Sequence, residues 1–347
     1  MRVAIVGAAS EVAGDLVGLL VERGVELEDI RLLGESEAAG EVVEAGPARL
    51  RVEPATAEAL TGAGIAIFCG DGTLAAKLAE AAARSGATVV DATPFSRRVA
   101  RATLVVPEVN AALGGAVPAG GGTISSPMPA TVGIAIALAP IHAALRLVRV
   151  HATVFESASQ RGAEGPEELS RQTLALVQGR GHDRDEFPEQ LAFNLRPQIA
   201  ADASGWAVEE RALAQEIAAL FGEPRVSVVA TCVRSPVFYG AAAVIHAELS
   251  RPASDAEIRD LLREAPSVFL AGSLPSPDPD DDEYDPTTDE RPGPVEVSGS
   301  DAIHVARVRT DPDDPTILAL WIAFDDIRRG IVQNVAGIVG AVLPARP

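Results

Sequence analysis

The sequence predicts an α/β protein. It combines a Rossmann-like, doubly wound parallel-sheet domain with an α+β central domain holding a large, mostly antiparallel sheet. Short apolar strands alternate with helical patterns over the first ninety or so residues. Beyond Pro127 the strands become longer and alternate in polarity. The length, 347 residues, suits two domains at roughly 150 residues each.

RVAIVG (2–7) reads as a strand ending in glycine, and VAGDLVGLLVE (12–22) carries apolar residues at helical spacing. IRLLG (30–34) and IAIFCG (65–70) read as further strands. LAAKLAEAAARSG (74–86) reads as a helix stopped by glycine, and ATVVDA (87–92) as a fourth strand. This alternation implies a parallel sheet that takes ligands at the carboxyl ends of its strands. Next comes an apolar helix, TVGIAIALAPIHAAL (131–145), then strands over 145–157, 224–238 and 241–250, with helices over 165–179 and 208–222. A strand over 318–324 leads into a final apolar helix over 327–343. Within these strands, segments such as VSVVATCV (226–233) and AAAVIHAEL (241–249) are also apolar on consecutive positions, so both faces of that sheet need cover.

Composition excludes several functions. Lys plus Arg is 29 against 49 Asp plus Glu, a formal net charge of -20, which argues against nucleic-acid or anionic-membrane partners. With 47% hydrophobic residues the chain can bury a full core. No membrane span and no signal peptide are expected. Cys69 and Cys232 stand far apart, outside any CxxC pair, which fits a reducing cytoplasm and excludes a disulfide scaffold or a zinc ribbon. Eight carboxylates between Asp278 and Glu290 mark an acidic insertion, placed at 275–293, that reads as a solvated loop. It lacks the order of a calcium-binding loop, and no metal site is expected.

The first loop runs Gly7-Ala8-Ala9-Ser10-Glu11-Val12-Ala13-Gly14. Dinucleotide loops use glycine to turn tightly and to bring backbone N–H groups to a pyrophosphate. Here Gly7 alone stands where that spacing needs it, so a plain strand–helix turn fits as well.

The segments VVPEVN (105–110), AFNLRPQI (192–199), GWAVEERALAQE (205–216), ATCVRSPV (230–237) and FDDIRRG (324–330) resemble the aspartate-semialdehyde dehydrogenase family over nearly the whole chain. SSPMPATVGIAIALAPI (125–141) and the SASQRG–EELSRQT stretch look closer to its Usg-like branch, which lacks the catalytic nucleophile. The resemblance implies a dinucleotide-binding domain from 1–128 plus 326–347. It implies a substrate-binding and dimerisation domain over 129–325, and a homodimer formed through it.

Departures from the family pattern decide the expected function. The family's cysteine, which forms a thioester with substrate, corresponds to Pro129, and its acid/base histidine corresponds to Ala241. An active-site glutamine corresponds to Glu156, and a phosphate-binding lysine to Ala212. Arg97, Asn110 and Arg234 persist as candidate anion- and substrate-binding residues, each arginine equally open to an internal salt bridge. His246 reads as an ordinary strand residue, Cys232 as a buried packing residue and Cys69 as a poor nucleophile. After the second strand the phosphate-gripping arginine is replaced by Glu37, flanked by Glu35 and Glu41. No cofactor is certain; Gly7, Ser10, Val12, Glu35 and Gly70 are the candidate cofactor-binding residues, and NAD is favoured over NADP. The expectation is a catalytically inactive relative with a vestigial or repurposed pocket for a small anionic ligand. The alternative is an NAD(P)-dependent oxidoreductase acting on aldehyde or acyl-phosphate groups of small amino-acid intermediates.

Overall fold

A computed structural model describes residues 1–8, 12–98, 102–114, 122–182, 184–197, 205–222, 225–272 and 291–343. Ser10 and nearly all of the acidic insertion lie outside the described residues. The chain divides into two compact units, Met1–Pro129 with Gly330–Pro347, and Ala130–Arg329.

The first unit holds strands β1 (Val3–Val6), β2 (Ile30–Gly34), β3 (Val42–Ala45), β4 (Ala48–Pro54), β5 (Ile65–Phe68), β6 (Thr88–Asp91), β7 (Thr103–Leu104) and β8 (Thr123–Ser125). They form one sheet in the order β3-β4-β2-β1-β5-β6-β8-β7. All pairs are parallel except β3–β4. Strands β1, β5 and β6 are buried along almost their whole length, as a sheet covered on both faces requires. The helices are α1 (Val12–Glu22), α2 (Thr73–Arg84) and α3 (Pro107–Gly114), with the C-terminal helix described below. The β3–β4 hairpin is absent from the sequence expectation. Its strands alternate charged and apolar residues on a half-exposed edge, so they carry little of the continuous apolar signal seen in β1.

The second unit starts with α4 (Pro129–Leu145), nearly all of it buried. Strands β9 (Leu147–Glu156), β10 (Arg196–Pro197), β11 (Ser227–Arg234), β12 (Ala241–Leu249), β13 (Val268–Leu270), β14 (Ile303–Thr310) and β15 (Ile317–Phe324) follow, with helices α5 (Glu164–Val177), α6 (Val208–Phe221) and α7 (Asp255–Arg263). The sheet order is β10-β11-β9-β12-β15-β14-β13. Four of its pairs are antiparallel, while β11–β9 and β13–β14 are parallel. Helix α4 presses on this sheet: a Cβ on Gly133 would fall 2.5 Å from the Phe324 ring. The opposite face is half exposed at Phe155, Val244 and Trp321 and exposed at His151 and His246.

Several boundaries differ from expectation. The strand expected over 224–238 ends at Arg234, because Ser235 turns both its N–H and its hydroxyl to the Glu156 carbonyl. The return to the first unit falls at Gly330 rather than 326. Asp326 belongs to the second unit, where Ser157, Ser159, Gln160 and the Gly240 N–H hold its carboxylate. The final helix opens as a π-type turn over Arg328–Gln333 and becomes α8 only over Asn334–Val342. Asn334 then donates to the Val105 carbonyl (3.2 Å) and to the Ser126 hydroxyl (2.8 Å), fixing α8 within the first unit.

Candidate ligand sites

In the first unit the chain runs β1 to β2 on one side, then returns to β5 on the other side of β1. The carboxyl ends of β1 and β5 therefore form the topological switch point where doubly wound sheets bind ligands. Gly7 and Gly70 occupy those two ends, with φ of +95° and +94°. A Cβ on Gly7 would lie 2.1 Å from the Cys69 carbonyl oxygen, so the approach of the two strand ends requires glycine. Around Gly70 a Cβ would meet nothing within 4 Å. Val12 is buried at the start of α1. Gly14 answers to packing instead, since a Cβ there would meet the Glu44 carbonyl at 2.6 Å. Glu35, just beyond β2, lies 4.0 Å from Lys77, the only lysine of the chain, in an exposed pair.

Two of the residues expected to bind an anion or substrate, Arg97 and Asn110, are tied to their own loops. Buried Asp91 accepts from the N–H groups of Thr93 (2.7 Å) and Ser96 (3.0 Å), shaping the turn that carries Arg97. Arg97 donates to the carbonyls of Thr93 and Ala92. Asn110 kinks α3 with φ of -140°. Its oxygen accepts from the Val106 N–H and its amide donates to the Leu104 carbonyl, both at 2.9 Å. Met128 is buried and Pro129 is the first residue of α4, a position proline suits because its missing N–H would have no helical partner there.

In the second unit Glu156 and Arg234 are register partners on parallel strands β9 and β11. Both are buried, with Oε2 and Nη2 3.9 Å apart, and Arg234 also donates to the Ser157 carbonyl. Burial holds the Arg234 pKa below its ordinary value, while the Glu156 charge opposes that shift. Ala241 is buried and pairs with Phe324 across β12 and β15. Cys232 is fully buried. Burial first, then the charges of Glu156, Glu210 and Glu209, push its thiol pKa well up, which keeps it neutral and unreactive. Cys69 is buried too and directs its sulfur at the Val6 carbonyl.

The sequence reading missed Asp326. Its Oδ2 accepts from Ser159 (2.8 Å), Ser157 and Gln160 (both 3.2 Å), and its Oδ1 from the Gly240 N–H (2.7 Å). Burial raises its pKa, and the hydrogen bonds oppose that rise. The node ties together the ends of three segments: the turn after β9, the start of β12 and the end of β15. A pair of adjacent aspartates after an apolar strand was its sequence signal.

A glycine-built switch point in one unit, and in the other a mixed sheet with a buried arginine–carboxylate pair, define a dinucleotide-binding class of two-domain proteins. Two family models match: the NAD binding domain of semialdehyde dehydrogenases over residues 2–114 and their dimerisation domain over 138–329. Aspartate-semialdehyde dehydrogenase 2 of Vibrio cholerae is 31% identical, the match covering 97% of this chain and 96% of that protein. The Aquifex aeolicus aspartate-semialdehyde dehydrogenase is 31% identical over the same shares. A crystal structure of the Vibrio cholerae enzyme II complexed with ASA superposes with a TM-score of 0.86 at 30% identity, covering 98% of this chain and 97% of that one. The chain belongs to the aspartate-semialdehyde dehydrogenase family.

Proposed function

We propose that this chain is a non-catalytic, Usg-like member of its family, a homodimer whose ligand pocket is vestigial or repurposed. The observation that supports this most is the pair of replacements at the positions matching the family's nucleophile and acid/base. Pro129 opens α4 and Ala241 is buried within the sheet, and neither side chain can attack a carbonyl or carry a proton. The two cysteines offer no substitute, being buried and hydrogen-bonded or charge-suppressed. Glu156 adds to this reading: it supplies Arg234 with an internal counter-charge where the family pattern has a neutral glutamine.

The two strand ends at the switch point suit a dinucleotide, since Gly7 permits their close approach and open space lies at Gly70. Gly7, Val12 and Gly70 would hold its phosphates through the backbone, and Glu35 would accept from the ribose hydroxyl. When bound, such a group supplies hydride exchange; the chain's own residues would only bind and orient it. Three carboxylates at 35, 37 and 41 repel a phosphate of about two charges, so NAD is the favoured form.

The relatives are aspartate-semialdehyde dehydrogenases, and their reaction is the assay. The purified chain is expected not to reduce NADP or NAD with aspartate semialdehyde and phosphate. Loss of both members of a catalytic unit costs on the order of 10⁴-fold or more. Turnover that survives repurification, and that a Cys69→Ser, Cys232→Ser variant abolishes, would show an overlooked nucleophile and support the oxidoreductase reading instead.

A further inference from the structure

The hydrogens around the Asp326 carboxyl do not add up if the group is ionised. Its Oδ2 lies 2.8 Å from the Ser159 hydroxyl and 3.2 Å from the Ser157 hydroxyl, and the two hydroxyl oxygens lie 2.7 Å from each other. Three oxygens thus make three mutual contacts at hydrogen-bond distance. The two serines bring one hydrogen each, and an ionised carboxylate brings none. One of the contacts would then set two oxygens together with no hydrogen between them. A neutral carboxyl supplies the third hydrogen: Oδ2–H donates to one serine, that serine to the other, and the second back to Oδ2. Oδ1 is left as the carbonyl oxygen, and the Gly240 N–H donates to it at 2.7 Å.

No cation neutralises this group: Asp326 is buried and forms no ion pair among the described residues. Charges on the segments that meet at the node are engaged elsewhere. Arg234 and Glu156 face each other, Arg328 pairs with Asp301, and Asp325 takes the N–H groups of Gly299, Ile327 and Arg328. Arg161 closes the serine turn, and buried Arg329 follows Asp326 in the π-type turn. Pro294 packs on Gly240, and Glu296 beyond it accepts from the Gly293 N–H. Burial, and after it the charge of Asp325, act against a negative charge on Asp326, while the bonds from Ser159, Gly240 and Ser157 oppose them. A carboxyl desolvated beside a second carboxylate keeps its proton.

We propose that Asp326 carries its proton at neutral pH and forms, with Ser157 and Ser159, a closed hydrogen-bonded ring, a proton-dependent clasp on the loop that positions Arg234. The Ser157 carbonyl accepts from Arg234 at 3.2 Å, and the N–H groups of Ala158 and Ser159 tie the same loop to the carbonyls of Val237 and Phe238. As pH rises, the Asp326 proton passes to bulk water, the ring loses one of its three bonds, and the loop loosens around Arg234. Asp326 is thus a positioning residue that acts on Arg234 through Ser157. In the unfolded chain this carboxyl ionises above about pH 3.9. A raised folded value adds stability that is complete below that pH and is lost as pH rises through the folded value. Only the effect on a ligand rests on reading Arg234 as part of a pocket; the ring does not.

Infrared spectroscopy of the full chain with isotope-labelled aspartate reads the proton directly. At neutral pH an aspartic-acid carbonyl band is expected, absent from Asp326→Asn and fading from wild type as pH is raised. Native-state hydrogen exchange reads the clasp: protection of the Ala158 and Ser159 amides should fall on the order of tenfold or more across the same pH range. Asp326→Asn keeps an acceptor for Gly240 and puts an N–H donor where the acid has its hydroxyl, with the Gln160 amide turned over to accept, so its protection should stay level. Neither readout needs a ligand, so the clasp and the pocket reading fail separately. No aspartic-acid band in wild type at neutral pH would overturn the proposal, whether or not the variant folds, as would an equal loss of protection in Asp326→Asn.

Discussion

Glu156 and Arg234 are the pair whose chemistry is most exposed to a one-atom change. Glu156→Gln keeps the volume but removes the charge beside Arg234. The remaining guanidinium stays buried without a counter-ion, so the variant should lose roughly 3 kcal/mol or less in denaturant unfolding. That is the lower end for breaking a buried pair, since 3.9 Å is no hydrogen bond. The same variant should bind a small dicarboxylate that wild type ignores, read by calorimetry; equal binding by both would show that Glu156 does not occupy the arginine. His142 gives a second residue-scale prediction. Burial, then Arg146, hold its pKa below the ordinary value. A group depressed in this way adds stability above its unfolded pKa of about 6.5 and loses it as pH falls through the folded value. Unfolding free energy should therefore decline on acidification below about pH 6.5. His142→Phe, which keeps the ring against Phe221, should flatten that decline. At this scale the sequence carried the proposed replacements at Pro129 and Ala241, because identity is local information. It did not disclose that Asn110 spends both ends of its amide on Val106 and Leu104, nor that Asp326 gathers four donors, because those partners depend on tertiary placement.

The elements of the first unit were largely legible, because strands such as β1 and β5 are buried on both faces and read as unbroken apolar runs. The β3–β4 hairpin was not, since its exposed alternation resembles a charged loop. Gly14 shows where helical pattern and packing part company. In an exposed helix Gly→Ala would add up to about 1 kcal/mol. Here the new methyl would meet the Glu44 carbonyl, so Gly14→Ala should instead destabilise by roughly 1–3 kcal/mol in chemical denaturation. It should leave dinucleotide affinity unchanged; a large loss of NAD binding would instead place Gly14 in the cofactor loop. The segment after β2 carries the cofactor prediction. Calorimetric titration should find NAD bound more tightly than NADP, and Glu35→Ala should narrow that gap. Tighter NADP binding by wild type would mean that Lys77, rather than the three carboxylates, sets the local charge.

At the scale of the whole molecule, the homodimer prediction rests on the central sheet. Helix α4 covers one of its faces, and the other presents Phe155, Val244 and Trp321 half exposed beside the exposed Val229. The family model over 138–329 is a dimerisation domain, and a two-fold axis would bury this face on both copies at once. The expectation from sequence, that these strands are apolar on both sides, holds for the upper rows. It weakens toward His246 and Glu248, where period-two alternation sets in. An obligate homodimer of this kind should bury roughly 2,000 Å² or more. The eight carboxylates between Asp278 and Glu290 are expected to stay out of that surface, since a two-fold axis would bring each set of charges toward its own copy. Removing residues 278–290 should therefore leave the dimer intact and shift only the net charge, by eight units toward neutrality. Light scattering at micromolar concentration checks both halves. The full chain should show twice the chain mass in low and high salt alike, because an apolar interface is little screened. A monomeric mass, or dissociation on deletion, would move the contact surface away from this sheet.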